Sequence, residues 1–317
     1  MSDVRQLDLP RRAARPGGVR RAPLAWAALI AVWFLWGSTY DAIGIGVRDM
    51  PPLLFAGTRY LLAAAILLPI AVRGREPGER RFTPVNWRAA AIIGALMLFG
   101  GNGLVSVAER TVPAGIAALL VATVPLWMVV FEAVRRRKMI GPWIAAGLLL
   151  GLAGVVVLVH PAPSQRLDLP GAGIVLLASA SWAAGSLYSR TAPQPRQAFL
   201  GTAMQMLAGG LILIAAGTIT GEWAHLHVSQ LSAATVLAIV WLAVPGSIVA
   251  LTAYIYALKK LPTSTTSTYA YVNPVVAVLI AWPLLGERPS VQTVAAGAII
   301  VAAVALILRA GKNPSHT

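Results

Sequence analysis

The stretch VPAGIAALLVATVPL, residues 112–126, and the stretch LPTSTTSTYAYVNPV, residues 261–275, share one frame. Val112-Pro113 and Val124-Pro125-Leu126 bracket the first. Leu261-Pro262 and Asn273-Pro274-Val275 bracket the second, 149 positions later. Gly37-Ser38-Thr39-Tyr40 likewise returns as Gly185-Ser186-Leu187-Tyr188, offset by 148. The repeat unit is therefore about half the chain, and each unit is made of membrane-length apolar segments. Internal repeats of that kind mark secondary transporters.

Composition agrees. Of 317 residues 57% are hydrophobic and 12% charged, with a mean hydropathy of +0.73. Soluble domains carry roughly 25% charged residues, so the outer face of this chain must meet lipid. The formal net charge of +15 invites a nucleic-acid partner. The basic residues instead fall in short clusters between apolar runs, which is the pattern of membrane topology. There is no cysteine, hence no disulfide and no thiolate metal site. His160, His225, His227 and His316 form no metal pair within a span, and no residue pattern implies a cofactor.

The expected architecture is an all-α polytopic membrane protein with ten transmembrane helices. They are read at 24–45, 52–72, 87–107, 113–134, 141–160, 171–189, 198–219, 232–257, 265–285 and 290–309, each near the ~20 residues a bilayer requires. Residues 1–22 read as a basic cytoplasmic tail suited to anionic lipid, 23–160 as the first repeat, 171–310 as the second and 311–317 as a short cytoplasmic tail. The run after the tail contains Trp33 and Trp36 and is long enough to span, so it reads as an uncleaved first helix. With both termini cytoplasmic, 21 of the 26 Lys and Arg fall on the inner side. Five helices per unit is an odd number, so the second unit must enter from the opposite side. The charges agree: the Arg135-Arg136-Arg137-Lys138 loop has only Glu287-Arg288 as its counterpart, while Glu109-Arg110 corresponds to Lys259-Lys260.

Trp36-Gly37-Ser38-Thr39-Tyr40, Pro51-Pro52-Leu53 with Arg59, Gly101-Asn102-Gly103, Val107-Ala108-Glu109 and Tyr269-Ala270-Tyr271-Val272-Asn273-Pro274-Val275 resemble the EamA branch of the drug/metabolite transporter superfamily. The resemblance runs from about residue 24 to 310. It implies two five-helix EamA repeats of inverted topology in a bacterial inner membrane and export of small metabolites or drugs. Asp41 departs from the pattern, which is apolar or aromatic there.

Asp41 and Arg59 are the clear ionisable residues within the spans. Both lie roughly 8–10 Å deep at 1.5 Å per residue. A buried charge costs several kcal/mol without a partner, so they are expected to pair, either pinning two helices or coupling protons to transport. With Arg59 paired, phosphorylated solutes lack a cation, which points to neutral or amphipathic metabolites, amino acids or drugs among them. Pro125 and Pro274 should kink corresponding helices and mark a midplane site. Thr123, Tyr269, Tyr271 and Asn273 stand beside them. Trp36, Ser38 and Tyr40, Asn102, Trp182 and Tyr188, and Tyr254 complete the candidate substrate-binding set with aromatic and hydrogen-bonding groups. Glu132 is expected as an interfacial counter-ion. Gly147, Gly151 and Gly154 and the small residues near 295–303 are expected to pack the helices within one chain. A monomer or weak dimer is the expected state. An intramembrane enzyme or a receptor without transport is the rival reading, and no catalytic constellation favours the first.

Overall fold

The computed structural model describes residues 22–73, 83–112, 117, 120–159, 168–273, 275–276 and 291–310; the tails and the stretch at 277–290, with Pro274, lie outside them. Among the described residues there are helices and no strand. In chain order they are α1 (Ala22–Gly37), α2 (Thr39–Asp49), α3 (Pro52–Arg73), α4 (Pro84–Ile93), a π-helical segment π1 (Gly94–Gly103) and α5 (Leu104–Ala108). Next come α6 (Val124–Arg136), α7 (Pro142–Val159), α8 (Leu169–Thr191), α9 (Ala198–Ile219), α10 (Ala233–Trp241), the second π segment π2 (Leu242–Val249), α11 (Ala250–Lys260), α12 (Thr263–Thr266) and α13 (Val291–Ala310).

Five of the continuous helices are long and apolar enough to cross a membrane: Pro52–Arg73, Pro84–Ala108, Leu169–Thr191, Ala198–Ile219 and Ala233–Lys260. The α1–α2 pair, bent by 43°, makes a sixth span if taken as one. Local chemistry sets the ends. The Thr83 hydroxyl accepts from the Asn86 N–H, with Pro84 in the first turn, where a missing N–H costs nothing. Ser232 caps α10 through the Thr235 N–H. Arg137, at φ 51°, closes α6 in the left-handed conformation.

Glu222, just past the end of α9, accepts hydrogen bonds from the N–H groups of Leu53 and Leu54 at 3.2 and 2.9 Å. The first turn of α3 is thereby capped by a carboxylate from the other half of the chain, and the closely packed α3 and α9 run antiparallel. Their contact is tight. A Cβ at Gly57 would stand 2.7 Å from Ile214. Gly94 meets Gly209 backbone to backbone, where a Cβ would lie 2.7 Å from the Gly209 nitrogen, so only glycine permits the crossing. On the same face of the molecule, Asp49 accepts from the Ser232 N–H and hydroxyl and from Thr235. The opposite face carries Arg73, Arg88, Arg135, Arg136, Arg137, Lys138, Arg190, Arg196, Lys259, Lys260 and Arg309. There Arg136 holds Glu132 at 2.8 Å.

α7 packs on α13: Gly147 lies against Ile307 and Gly154 against Ile300. Those glycines thus serve packing within the chain. α6 starts at Val124 with Pro125 in its first turn, after a turn at Ala122–Thr123. The Thr123 hydroxyl bonds the Leu120 carbonyl at 2.6 Å. The expected interruption at Pro125 is therefore a break and restart of the helix.

The two π segments begin at Gly94 and Leu242, 148 positions apart, the offset of the sequence repeat. A π turn opens the helical ladder and presents carbonyls sideways. Each segment spends one on the other half of the chain. The Ser181 hydroxyl donates to the Leu96 carbonyl at 2.8 Å, and the Trp36 indole donates to the Gly246 carbonyl at 3.0 Å.

Candidate functional site: an aromatic-floored cavity

Four rings from four helical stretches meet at the centre. Trp36 lies 5.4 Å from Trp182, 5.0 Å from Tyr254 and 4.9 Å from Tyr269, centroid to centroid. Tyr254 is 5.8 Å from Trp182 and 5.4 Å from Tyr269. Edge-on and tilted geometry prevails, the arrangement that ring quadrupoles favour. The Tyr254 hydroxyl donates to Ser186 at 2.7 Å and touches the Met128 sulfur.

Above this floor, toward the Asp49 face, lies a half-open cavity with roughly 760 Å³ of space between the atoms, the open solvent at its mouth included. Trp36, Thr39 and Ile43 line it along the first two helices, Asn102 and Val105 along the third span, and Ser179 and Trp182 along α8. Leu242, Gly246, Ser247 and Leu251 come from the second π segment and the turn after it. Gly101 leaves room for the Trp182 ring: a Cβ there would lie 2.7 Å from it.

Arg59 supplies the cavity's cation. It is 3% exposed. Its Nη2 donates to the Asn102 Oδ1 at 2.8 Å and to the Tyr60 hydroxyl at 2.9 Å. Its guanidinium carbon stands 4.5 Å from the centroid of the Tyr60 ring. Its Nε has no hydrogen-bond partner among the described residues. The Asn273 amide nitrogen, facing two acceptors, donates to the carbonyls of Tyr269 at 2.9 Å and Trp33 at 3.1 Å, tying 269–273 to α1.

Glu109 sits just beyond the Pro84–Ala108 span, seven residues after Asn102 and so on the same helical face. Both of its carboxylate oxygens are buried without a partner among the described residues. Burial pushes its pKa up to about 7, and the charge on Arg59 pulls the other way.

The basic face is tied shut below the floor. Arg190 donates to the Leu261 carbonyl at 3.2 Å and to the Thr263 hydroxyl at 3.0 Å. Gln194 bridges Ser189, Gln205 and Lys259 at 2.6, 3.1 and 3.2 Å.

The model of the EamA-like transporter family matches residues 24–160 and again 169–309. This chain belongs to the EamA-like transporter family. Over 290 residues it is 40% identical to the inner membrane transporter YedA of Escherichia coli (strain K12), covering 89% of this chain and 90% of that one. It is 26% identical over 291 residues to a probable amino-acid metabolite efflux pump of Salmonella typhimurium, covering 87% and 91%. A solved crystal structure superposes with a TM-score of 0.71 at 22% identity, over 91% of this chain and 97% of the other, a likeness of fold.

Within this EamA-like fold, the candidate residues divide. Trp36, Asn102, Trp182, Tyr269, Asn273 and Arg59 line the cavity, and Tyr254 closes its floor. Tyr271 points elsewhere: its hydroxyl bonds the Leu148 carbonyl at 3.1 Å and its ring packs on Gly151. Ser38 and Thr123 bond backbone carbonyls three residues back, at Leu35 and Leu120. Pro125 is buried in α6 and Tyr188 packs half-buried against the core, neither lining the cavity. The side chains of Tyr40 and Asp41, and Pro274, lie outside the described residues, and with them the expected Asp41–Arg59 pair. The sequence reading passed over Thr39, Ser179 and Ser247. The signal for Ser247 was present, since Pro245-Gly246 stands inside an otherwise unbroken apolar span.

Proposed function

We propose that this chain is a secondary transporter of the bacterial inner membrane that exports small neutral or amphipathic metabolites, amino acids among them. In this reading it has ten transmembrane helices in two five-helix repeats of inverted topology, with both termini and the basic face in the cytoplasm. The halves rock about the aromatic floor, opening the cavity to each side in turn. The observation that carries the reading is the cavity between the halves, apolar and aromatic in its walls with a few convergent polar groups. The antiparallel course of α3 and α9 and the matched π segments support the inverted arrangement. The efflux pump of Salmonella typhimurium, named for amino-acid metabolites, supports the solute class.

The experiment is efflux from cells preloaded with labelled amino acids and aromatic metabolites. Cells making the protein should lose at least one label faster than cells without it, and Trp36→Ala should return the rate to background. Equal efflux with and without the protein across the panel would overturn the reading.

A further inference from the structure

Within that reading, on which it rests, we infer that Arg59 is the receptor for the carboxylate of an amphipathic solute whose apolar body lies on the Trp36–Trp182–Tyr269 floor. A guanidinium has five N–H donors in a planar fork that matches a carboxylate. In Arg59 the Nη2 edge is occupied by Asn102 and Tyr60, both neutral. These acceptors fix the group in place and, among the described residues, leave it without a hydrogen-bonded counter-ion. The ion pair of Arg136 with Glu132 lies on the far face of the molecule. Glu109 feels Arg59 through space but makes no hydrogen bond to it.

Arg59 lines the cavity, is almost wholly buried, and keeps its Nε without a partner among the described residues. A fixed, desolvated cation in an apolar chamber is costly until an anion arrives. A single fork suits a single carboxylate. A phosphate dianion would call for a second cation, and the described cavity wall has none. The rest of the wall selects the body of the solute. Trp36, Trp182 and Tyr269 present rings, and Val105, Val121, Val124, Leu242 and Leu251 present aliphatic surface.

The test uses the purified full chain in lipid nanodiscs with two isosteric probes, 3-phenylpropionate and 3-phenylpropionamide, and reads affinity by calorimetry at pH 7. Wild type should bind the carboxylate about 10–100-fold more tightly than the amide, the range expected of a charge-assisted hydrogen bond. Arg59→Gln should erase that preference and leave the amide unchanged, while Arg59→Lys, which keeps charge without the fork, should retain part of it. The wild-type comparison stands by itself if Arg59→Gln fails to fold. Equal affinities for the two probes, both lost in Trp36→Ala, would overturn the carboxylate site and leave the cavity intact. A preference that survives in folded Arg59→Gln would also overturn it. Binding of neither probe would remove the cavity reading as well.

Discussion

Arg190 and Arg59 stand on opposite sides of the aromatic floor, and their guanidinium groups are used differently. Arg190 spends its Nη1 on Leu261 and Thr263, joining the end of α8 to the start of α12. Gln194 reinforces that joint from three sides. Arg59 is held by Asn102 and Tyr60 yet faces a cavity with its Nε free among the described residues. Where the polar groups satisfy one another, the structure is sealed. Where they are fixed but incompletely used, it is ready for a solute. An alternating-access carrier needs both conditions at once, on opposite sides of one centre.

Thiol chemistry gives the sharpest way to break this contrast, because the chain has no cysteine of its own. Val105→Cys would stand in the cavity wall, and Ser186→Cys beneath Tyr254, where the native serine is fully buried. A small polar thiol reagent should modify Val105→Cys on the order of a hundredfold faster, since the buried site reacts only through local opening. Comparable rates would mean that the floor does not divide the molecule.

Loosening the seal is the next largest effect. Arg190→Ala removes two hydrogen bonds from a half-buried charged donor and leaves the Thr263 hydroxyl without that partner. The expected cost is about 1–3 kcal/mol of stability, read by thermal unfolding in detergent. In the same background the modification of Ser186→Cys should speed up severalfold. An unchanged rate would show that Arg190 only braces α8 and has no part in closing the basic side.

Much of this division was legible in the sequence. The 148–149 offset located both halves, and the matched π segments fall at the same offset. Side-chain direction was less legible. Tyr269 and Tyr271 are two residues apart on a helix, hence about 200° apart around it, so both cannot face one cavity. Tyr269 joins the floor and Tyr271 turns to Leu148. Thr39 and Ser179 escaped notice because helical hydroxyls ordinarily bond the preceding turn, as these also do. The π segments hide more, since each extra residue in a turn rotates the rest of the helix and spoils a 3.6-residue reading. Arg59 was expected to answer Asp41, whose side chain lies outside the described residues; the hydrogen-bond partners it shows, Asn102 and Tyr60, are neutral. No spacing rule reveals an acceptor 43 residues away on another helix.

Glu109 sharpens the comparison from the cavity side. Glu132, on the sealed side, has an arginine at 2.8 Å, whereas Glu109 has buried oxygens and no partner among the described residues. Arg59 acts on Glu109 from α3 and Arg110 is its neighbour in the chain, while Asp168, at the start of α8, stands beside Thr111 and Val112. Burial outweighs the pull of Arg59 and raises its pKa from 4.5 to about 7. A raised carboxyl pKa means that the folded state holds the proton more tightly than the unfolded chain. Stability is therefore lost as pH rises through the window from 4.5 to about 7, where the unfolded chain ionises first. Glu109→Gln escapes that loss. Its unfolding free energy should match that of wild type, apart from a constant offset, below pH 4.5. By pH 8 it should have gained about 1–3 kcal/mol on wild type. Denaturant unfolding of both proteins between pH 4 and 8 measures the gap. A gap that stays flat across that range would place the carboxylate in water and contradict its burial beyond the end of the Pro84–Ala108 helix.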